Sequence, residues 1–244
     1  MTVTAAQVAH CGSVSALSLG LPISTAIPVA KGTLPKAAVV GRTPISAKLK
    51  QRLTNDIESI TLLSLMRAAN TGLELGRLIP EVLVIGLKLT GKAGSVPVEV
   101  IELIASQRKS GIVFACVREV PFEGGTREEC AFAVRRAQPG RAGHMPNYQV
   151  YTGEWLPAGE CQLEIAGGTI DELWMSLCSQ TILGTPEVAD LDARITRHAQ
   201  IAKLEADIDK LARDHQRAKN PAQRNELYAK LHKAKTQLAQ LREG

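Results

Sequence analysis

Glu81 to Thr90 reads EVLVIGLKLT, a run of β-branched and leucine residues closed off by Pro80 on one side and Gly91 on the other. Such a run, bounded by breakers, predicts a buried strand. One lysine, Lys88, interrupts it near the end, and Gly86 stands two residues earlier, on the same side of a strand whose side chains alternate.

Working back from this strand, Ser59 to Met66 is another short apolar run and predicts a second strand, with continuation of the preceding helix as the alternative. Before it, Ile45, Leu49, Leu53 and Ile57 recur at helical spacing behind Thr43-Pro44, an N-cap followed by proline at the first helical position. A helix to about Glu58 is expected. Residues 1–30 are apolar and rich in Ser and Ala, with no Lys or Arg before Lys31 and with Gly12, Gly20 and Pro22 breaking the run. That pattern suits neither a signal peptide nor a membrane span. It predicts a poorly ordered, loosely packed leader with one short helix around Ala5 to His10.

Working forward, Ser95 and Pro97 open a helix carrying Val98, Ile101, Ile104 and Ala105 on one face, broken by Gly111. Ile112 to Glu119 predicts a strand, and Pro121 to Thr126 holds a Gly-Gly turn. Beyond it Cys130, Phe132 and Val134 alternate with Ala131, Ala133 and Arg135, which predicts a further strand. Tyr148–Trp155 and Cys161–Ile165 predict two more. Thr169 and Glu172 form a T-x-x-E capping box, followed by Ile170, Leu173, Trp174, Leu177 and Ile182 on one helix face and by Gly184 as a stop. The sum is an α+β domain over residues 31–184, a mixed sheet with flanking helices.

Residues 185–244 read differently. Behind Thr185-Pro186, the positions Ile201, Leu204, Ile208, Leu211, His215 and Ala218 follow three-four spacing. After Asn220-Pro221 the pattern resumes in a new phase at Leu227, Leu231, Ala234, Leu238 and Leu241. Proline inside a helix costs roughly 3 kcal/mol, but behind an Asn cap it costs little. An antiparallel helical hairpin broken at Asn220-Pro221 therefore explains both the proline and the phase change. Asp190–Arg194, Asp209–Arg213 and Glu226–Lys230 have the favoured acid-first order. His215 belongs at the hairpin mouth, partly solvated. A seam this narrow invites another protein, with Leu204, Ile208, Leu211, Leu231 and Leu238 as the docking residues.

The chain has 244 residues, 45% of them hydrophobic and only 3% aromatic, with a net charge of +5. Both signs are mixed along it, so contact with nucleic acid is permitted and not demanded. Five cysteines, with no C-x-x-C pair, argue against a disulfide framework and for a reducing cytoplasm.

No motif specifies a reaction, and no cofactor is implied. Gly86 to Ala93 approaches a phosphate-binding G-x-x-x-x-G-K loop, but Ala93 stands where a Mg²⁺-binding hydroxyl belongs and Gly86–Leu89 lie inside the strand. Cys130, Cys161, Cys178 and His144 lack the paired spacing of a zinc site. A restriction-type nuclease needs clustered carboxylates beside a lysine. Lys88 is available, with Glu119 as the weak catalytic candidate and Glu81 and Glu123 nearby. Gly86, however, occupies the acid position of an E-x-K pair. Lys36, Arg127, Arg135, Arg136 and Arg141, with Arg42, His144 and Tyr148, are the candidates for a nucleic-acid surface. A charged strand edge explains the same residues.

Taken in order, Leu34-Pro35-Lys36, the helix Ala47 to Ile60 with its strand, the Val82 to Leu89 and Ile112 to Cys116 strands, Glu154-Trp155-Leu156 and the Leu/Lys/Glu-rich tail resemble the bacterial domain-of-unknown-function family 4391. The resemblance covers the chain from about Ile27 onward. It implies an accessory role, because members of that family are encoded beside superfamily-two helicases and DNA methyltransferases in restriction-like or phage-defence loci. It supplies no catalytic residues. The expectation is a non-enzymatic interaction protein. The alternatives are a nuclease-like protein with an atypical or decayed site, and a simple nucleic-acid binder.

Overall fold

The computed structural model describes residues 7–40, 44–138 and 145–243. The chain forms two compact units, residues 1–189 and 190–244.

In the first unit the elements run β1 (His10–Cys11), β2 (Val14–Ser15), α1 (Val29–Gly32), α2 (Lys36–Val40), α3 (Ala47–Asn55), β3 (Ile57–Met66), α4 (Ala68–Thr71), β4 (Val82–Leu89), α5 (Val98–Ser106), β5 (Gly111–Phe122), β6 (Gly125–Ala137), β7 (Tyr148–Thr152), β8 (Leu156–Pro157) and α6 (Ile170–Leu183). The main sheet has six strands in the order β3-β4-β5-β6-β7, with β8 also on β6. Strands β4 and β5 are parallel, joined by the crossover helix α5, and every other pair is antiparallel. This is the expected α+β domain with a mixed sheet.

The central strand β4 is buried on both faces, which is why its sequence is a continuous apolar run. On one face Leu83, Ile85, Leu87 and Leu89 join Ile112, Phe114 and Cys116 and the inward residues Val100, Ile101 and Ile104 of α5. On the other face lie Val82, Val84, Gly86 and Lys88, with Val113, Ala115 and Val117 of β5. Helix α6 contributes Ile170, Leu173 and Leu177, all completely buried.

The N-terminal segment departs most from expectation. Val8, Ala9, Cys11, Val14, Ala16, Leu19 and Leu21 are buried, so from residue 7 onward this is not a loosely packed leader. Its β1–β2 hairpin turns at Gly12, whose φ is +58°. The chain then lies along the β3 edge, with Ile27 N–H donating to Leu63 O at 3.1 Å and Leu34 N–H donating to Ile60 O at 2.9 Å. Covering an edge strand satisfies its open ladder. His10 lies in β1 and not in a helix, and Ala5 and Ala6 lie outside the described residues.

Other boundaries moved for local reasons. Helix α3 is capped by Ser46, whose Oγ accepts from Leu49 N–H at 3.2 Å, and Thr43 lies outside the described residues. The helix stops before Ile57, which pairs with Leu89 as the first residue of β3. The β5–β6 turn is a two-residue connection in which Glu123 and Gly124 both take positive φ, +46° and +80°. This is the hairpin geometry that matches strand twist. Cys161–Ile165 is irregular and not a strand. The Thr169 cap forms, its Oγ1 accepting from Glu172 N–H at 3.2 Å. The Glu172 carboxylate reaches Gly168 N–H at 2.6 Å instead of closing the reciprocal bond on Thr169.

The second unit is the expected hairpin, α7 (Leu191–Arg217) and α8 (Pro221–Glu243). Asn220 Oδ1 accepts from Ala222 N–H at 2.8 Å, capping α8 with Pro221 in its first turn. Near the open end Arg197 donates to Leu241 O at 2.7 Å, and Arg242 meets Glu205 at 2.6 Å. Glu226 and Lys230 pair at 2.6 Å. His215 is half-buried, 6.1 Å from the Tyr228 ring.

Candidate functional site

Three ionised side chains converge where the parallel strands β4 and β5 end. Glu119 and Glu128 lie directly opposite each other on β5 and β6. Like charges so placed repel unless a cation joins them. Lys88 does so, with Nζ 3.1 Å from Glu119 Oε1 and a hydrogen bond to Glu128 Oε1. The backbone N–H of Ser13 donates to Glu128 Oε2 at 2.6 Å, so the β1–β2 turn also seats this carboxylate. Lys88 and Glu128 are largely covered, with side-chain exposures of 13% and 20%, whereas Glu119 is open at 57%.

The charges hold one another. Burial alone would raise the Glu128 carboxyl, but hydrogen bonds from Lys88 and Ser13 outweigh it and hold it below the usual carboxylate range. Burial would lower Lys88, and its bonds to Glu128 and Glu119 outweigh that and raise it. The lysine is therefore a fixed cation held between two acids.

Gly86 carries no acid for a physical reason. A Cβ there would collide with the Cys11 side chain, lying 3.0 Å from its Sγ and 3.2 Å from Leu63 Cδ1. The Cys11 thiol is pushed up to about 12, chiefly by burial, so it fills this space as a neutral group. Glu81 is committed elsewhere, accepting from Ser110 Oγ at 3.0 Å and from Arg67 Nε at 2.6 Å, and Glu123 sits in the β5–β6 turn. Among the described residues no three His, Cys, Asp or Glu side chains are grouped so as to hold a metal ion. Gly86–Leu89 lie within β4, so no phosphate loop follows Gly86. Cys161 Sγ lies 3.5 Å from Cys130 O, Cys178 is buried in α6, and His144 is outside the described residues.

The cations expected to form a nucleic-acid surface are dispersed. Lys36 donates to Thr54 O at 3.4 Å and to Ile57 O, closing the carboxyl end of α3. Arg127 pairs with Glu129 at 2.7 Å and lies over Phe122. Arg118 shares that carboxylate at 2.9 Å and stacks on Trp155. Hydrogen bonds from Arg127 and Arg118 hold Glu129 below the usual carboxylate range. Arg135 pairs with Glu102 at 2.8 Å and stacks on Tyr148, with its guanidinium carbon 3.9 Å from the ring centre. Arg136 is on the opposite face of β6, buried beside Met175. Arg42 and Arg141 lie outside the described residues.

The structure brings Lys88 and Glu119 together. It adds Glu128, which sequence reasoning missed. The signal was present: a two-residue turn between Phe122 and Gly125 sets a register in which counting back pairs Glu119 with Glu128.

The chain matches the family described as Domain of unknown function (DUF4391) over residues 19–238. It belongs to that family. No curated protein and no solved structure matches the chain. The DUF4391 match begins at Leu19, a buried residue of the N-terminal segment, and runs to Leu238 of α8. It therefore spans both compact units.

In the hairpin, Leu204, Ile208, Leu211, Leu231 and Leu238 are all only half-buried, while Ala234 is buried. Among the described residues no helix is long and apolar enough to cross a membrane.

Proposed function

We propose that this protein is a non-enzymatic interaction protein that works beside a DNA helicase or a DNA methyltransferase in a restriction-like or phage-defence system, with the α7–α8 hairpin as its docking element. The supporting observation is the incomplete cover of the seam. Five leucine and isoleucine side chains at regular spacing keep part of their surface in water. Burying that remainder on a partner is favourable at about 25 cal/mol per Å². The nature of the partner rests on the family resemblance. Purifying the tagged full chain from its host tests the reading: a helicase or methyltransferase of the same locus should be retained and should be lost from a Leu204→Ala, Leu231→Ala variant. Purification without either enzyme sinks it.

A second reading is favoured by the Lys88 cluster. A lysine and two carboxylates lie at the carboxyl ends of parallel strands, the usual place for ligands in folds with such strands. That placement is what supports a nuclease-like protein with an atypical or decayed site. Mg²⁺-dependent DNA cleavage that disappears in Lys88→Met and in Glu119→Gln supports it. Cleavage unchanged in both variants removes it.

A further inference from the structure

At the opposite end of the sheet, where β5 begins and β6 ends, a cleft of ≈ 770 Å³ opens between α6 and the end of α5. Its size is within the roughly 300–1,000 Å³ of small-ligand sites. Its lining carries four cations, Arg108, Lys109, Arg135 and Arg136, against one carboxylate, Asp171.

That carboxylate is already engaged. It accepts from the backbone N–H of Arg77 at 2.7 Å, Ile79 at 2.8 Å and Leu78 at 3.1 Å. Burial would raise the Asp171 carboxyl, and these bonds outweigh it and hold it below the usual range. Arg135 is engaged by Glu102. Arg108 and Lys109 are exposed on the cleft rim, and among the described residues no carboxylate pairs with either. Arg136, 8% exposed, lies deeper, against Met175.

The walls are flat and apolar. Trp174 lies against Gly111, where a Cβ would meet its ring carbons at 2.6 and 2.8 Å, so the glycine holds the indole in place. Tyr148 also lines the cleft, under the Arg135 guanidinium and on the opposite face of the sheet from Trp174. Leu78, 82% exposed, extends the apolar lip.

Phosphate oxygens match arginine and lysine donors, and a planar heterocycle matches aromatic and apolar walls. We propose that this cleft binds a nucleoside 5′-phosphate, with the phosphate at Arg108 and Lys109 and the base against Trp174. The group is either a free nucleotide or the terminal nucleotide of a DNA strand. This site differs from the cation surface expected from sequence, since Arg108, Lys109 and Trp174 are added and Arg127 and Lys36 have no part.

The chain has two tryptophans, so a Trp155→Phe full-length protein reports on Trp174 alone. Its emission and, separately, its heat of binding are followed during titration with 5′-AMP, adenosine, inorganic phosphate and a 5′-phosphorylated oligothymidylate. We expect saturable binding of 5′-AMP or of the oligonucleotide with a change in Trp174 emission. Adenosine and phosphate should bind at least about tenfold more weakly. Arg108→Ala with Lys109→Ala, both exposed, should weaken binding by about tenfold or more. Preference for the oligonucleotide over 5′-AMP identifies a strand end, and the reverse identifies a free nucleotide. Phosphate binding as tightly as 5′-AMP, affinity indifferent to the double substitution, or no heat and no emission change for any probe overturns the proposal.

Discussion

Gly86→Ala is the most informative single change in the α+β unit. The added methyl would press into the Cys11 side chain and sit 3.0 Å from its Sγ, with Leu63 Cδ1 at 3.2 Å on the other side. Both neighbours are buried, and Cys11 is held in the β1–β2 hairpin, so neither can swing into solvent. Overpacking of this kind costs about 1–3 kcal/mol. At roughly 2–4 °C per kcal/mol for a unit of this size, the melting temperature should fall by about 2–12 °C. Trp155 and Trp174 both belong to the first unit, so tryptophan fluorescence during urea unfolding reports on it separately from the hairpin. Cys11→Gly removes the opposing Cβ, and the double variant should recover about 1 kcal/mol or more relative to the sum of the single changes. Gly86→Glu, which recreates an acid two residues before Lys88, should unfold the unit and not build a metal site, because its charge would be buried against a neutral thiol. Gly86→Ala within about 0.5 kcal/mol of the parent, with no coupling to Cys11, would refute the seating of the N-terminal segment on β4.

Lys88→Met should cost about 2 kcal/mol near neutral pH, because it leaves Glu119 and the largely covered Glu128 facing each other. Glu128 has a depressed pKa in the fold, so its contribution is full above the ordinary carboxylate value of 4.5 and is lost as pH falls through the lower folded value. The penalty measured by urea unfolding should therefore hold between pH 6 and 8 and shrink in acid, and a penalty that grows in acid contradicts the pairing. Asn220→Ala should cost the hairpin about 1 kcal/mol by removing the cap on Ala222 N–H, read as a lower melting temperature in circular dichroism at 222 nm. Asp171→Ala should destabilise the first unit by about 1–3 kcal/mol, since it leaves the N–H groups of residues 77–79 without their acceptor. Amide exchange at Leu78 and Ile79 should rise with it.

Much of the fold could be read along the chain. The β4 strand, the crossover helix, the β5–β6 turn, the Thr169 cap and the break at Asn220-Pro221 each depend on residues within one turn or one strand, where local chemistry decides. What escaped depends on partners distant in sequence. The N-terminal segment looks like broken apolar sequence until the β3 edge and Gly86 give its valines and leucines a place to bury. Cys161–Ile165 has strand composition, but Leu163 N–H donates to Leu19 O at 2.8 Å, and the segment joins no sheet strand. Lys88 was recognisable as a lysine in a strand, and its meaning came from Glu128 and Ser13, at 40 and 75 positions' remove. The arginines show the same limit: Arg135 and Arg136 are neighbours in sequence and lie on opposite faces of β6.

Docking of a DNA helicase or methyltransferase on the hairpin is the proposal with the widest consequences. Sedimentation velocity of the purified full chain with that enzyme from its own locus measures this directly. A complex with the parent chain is expected at about micromolar concentration. The Leu204→Ala, Leu231→Ala variant should lose that complex, while helicity and the tryptophan unfolding curve stay at the parent values. Absence of a complex, or one formed equally well by the double variant, would contradict it.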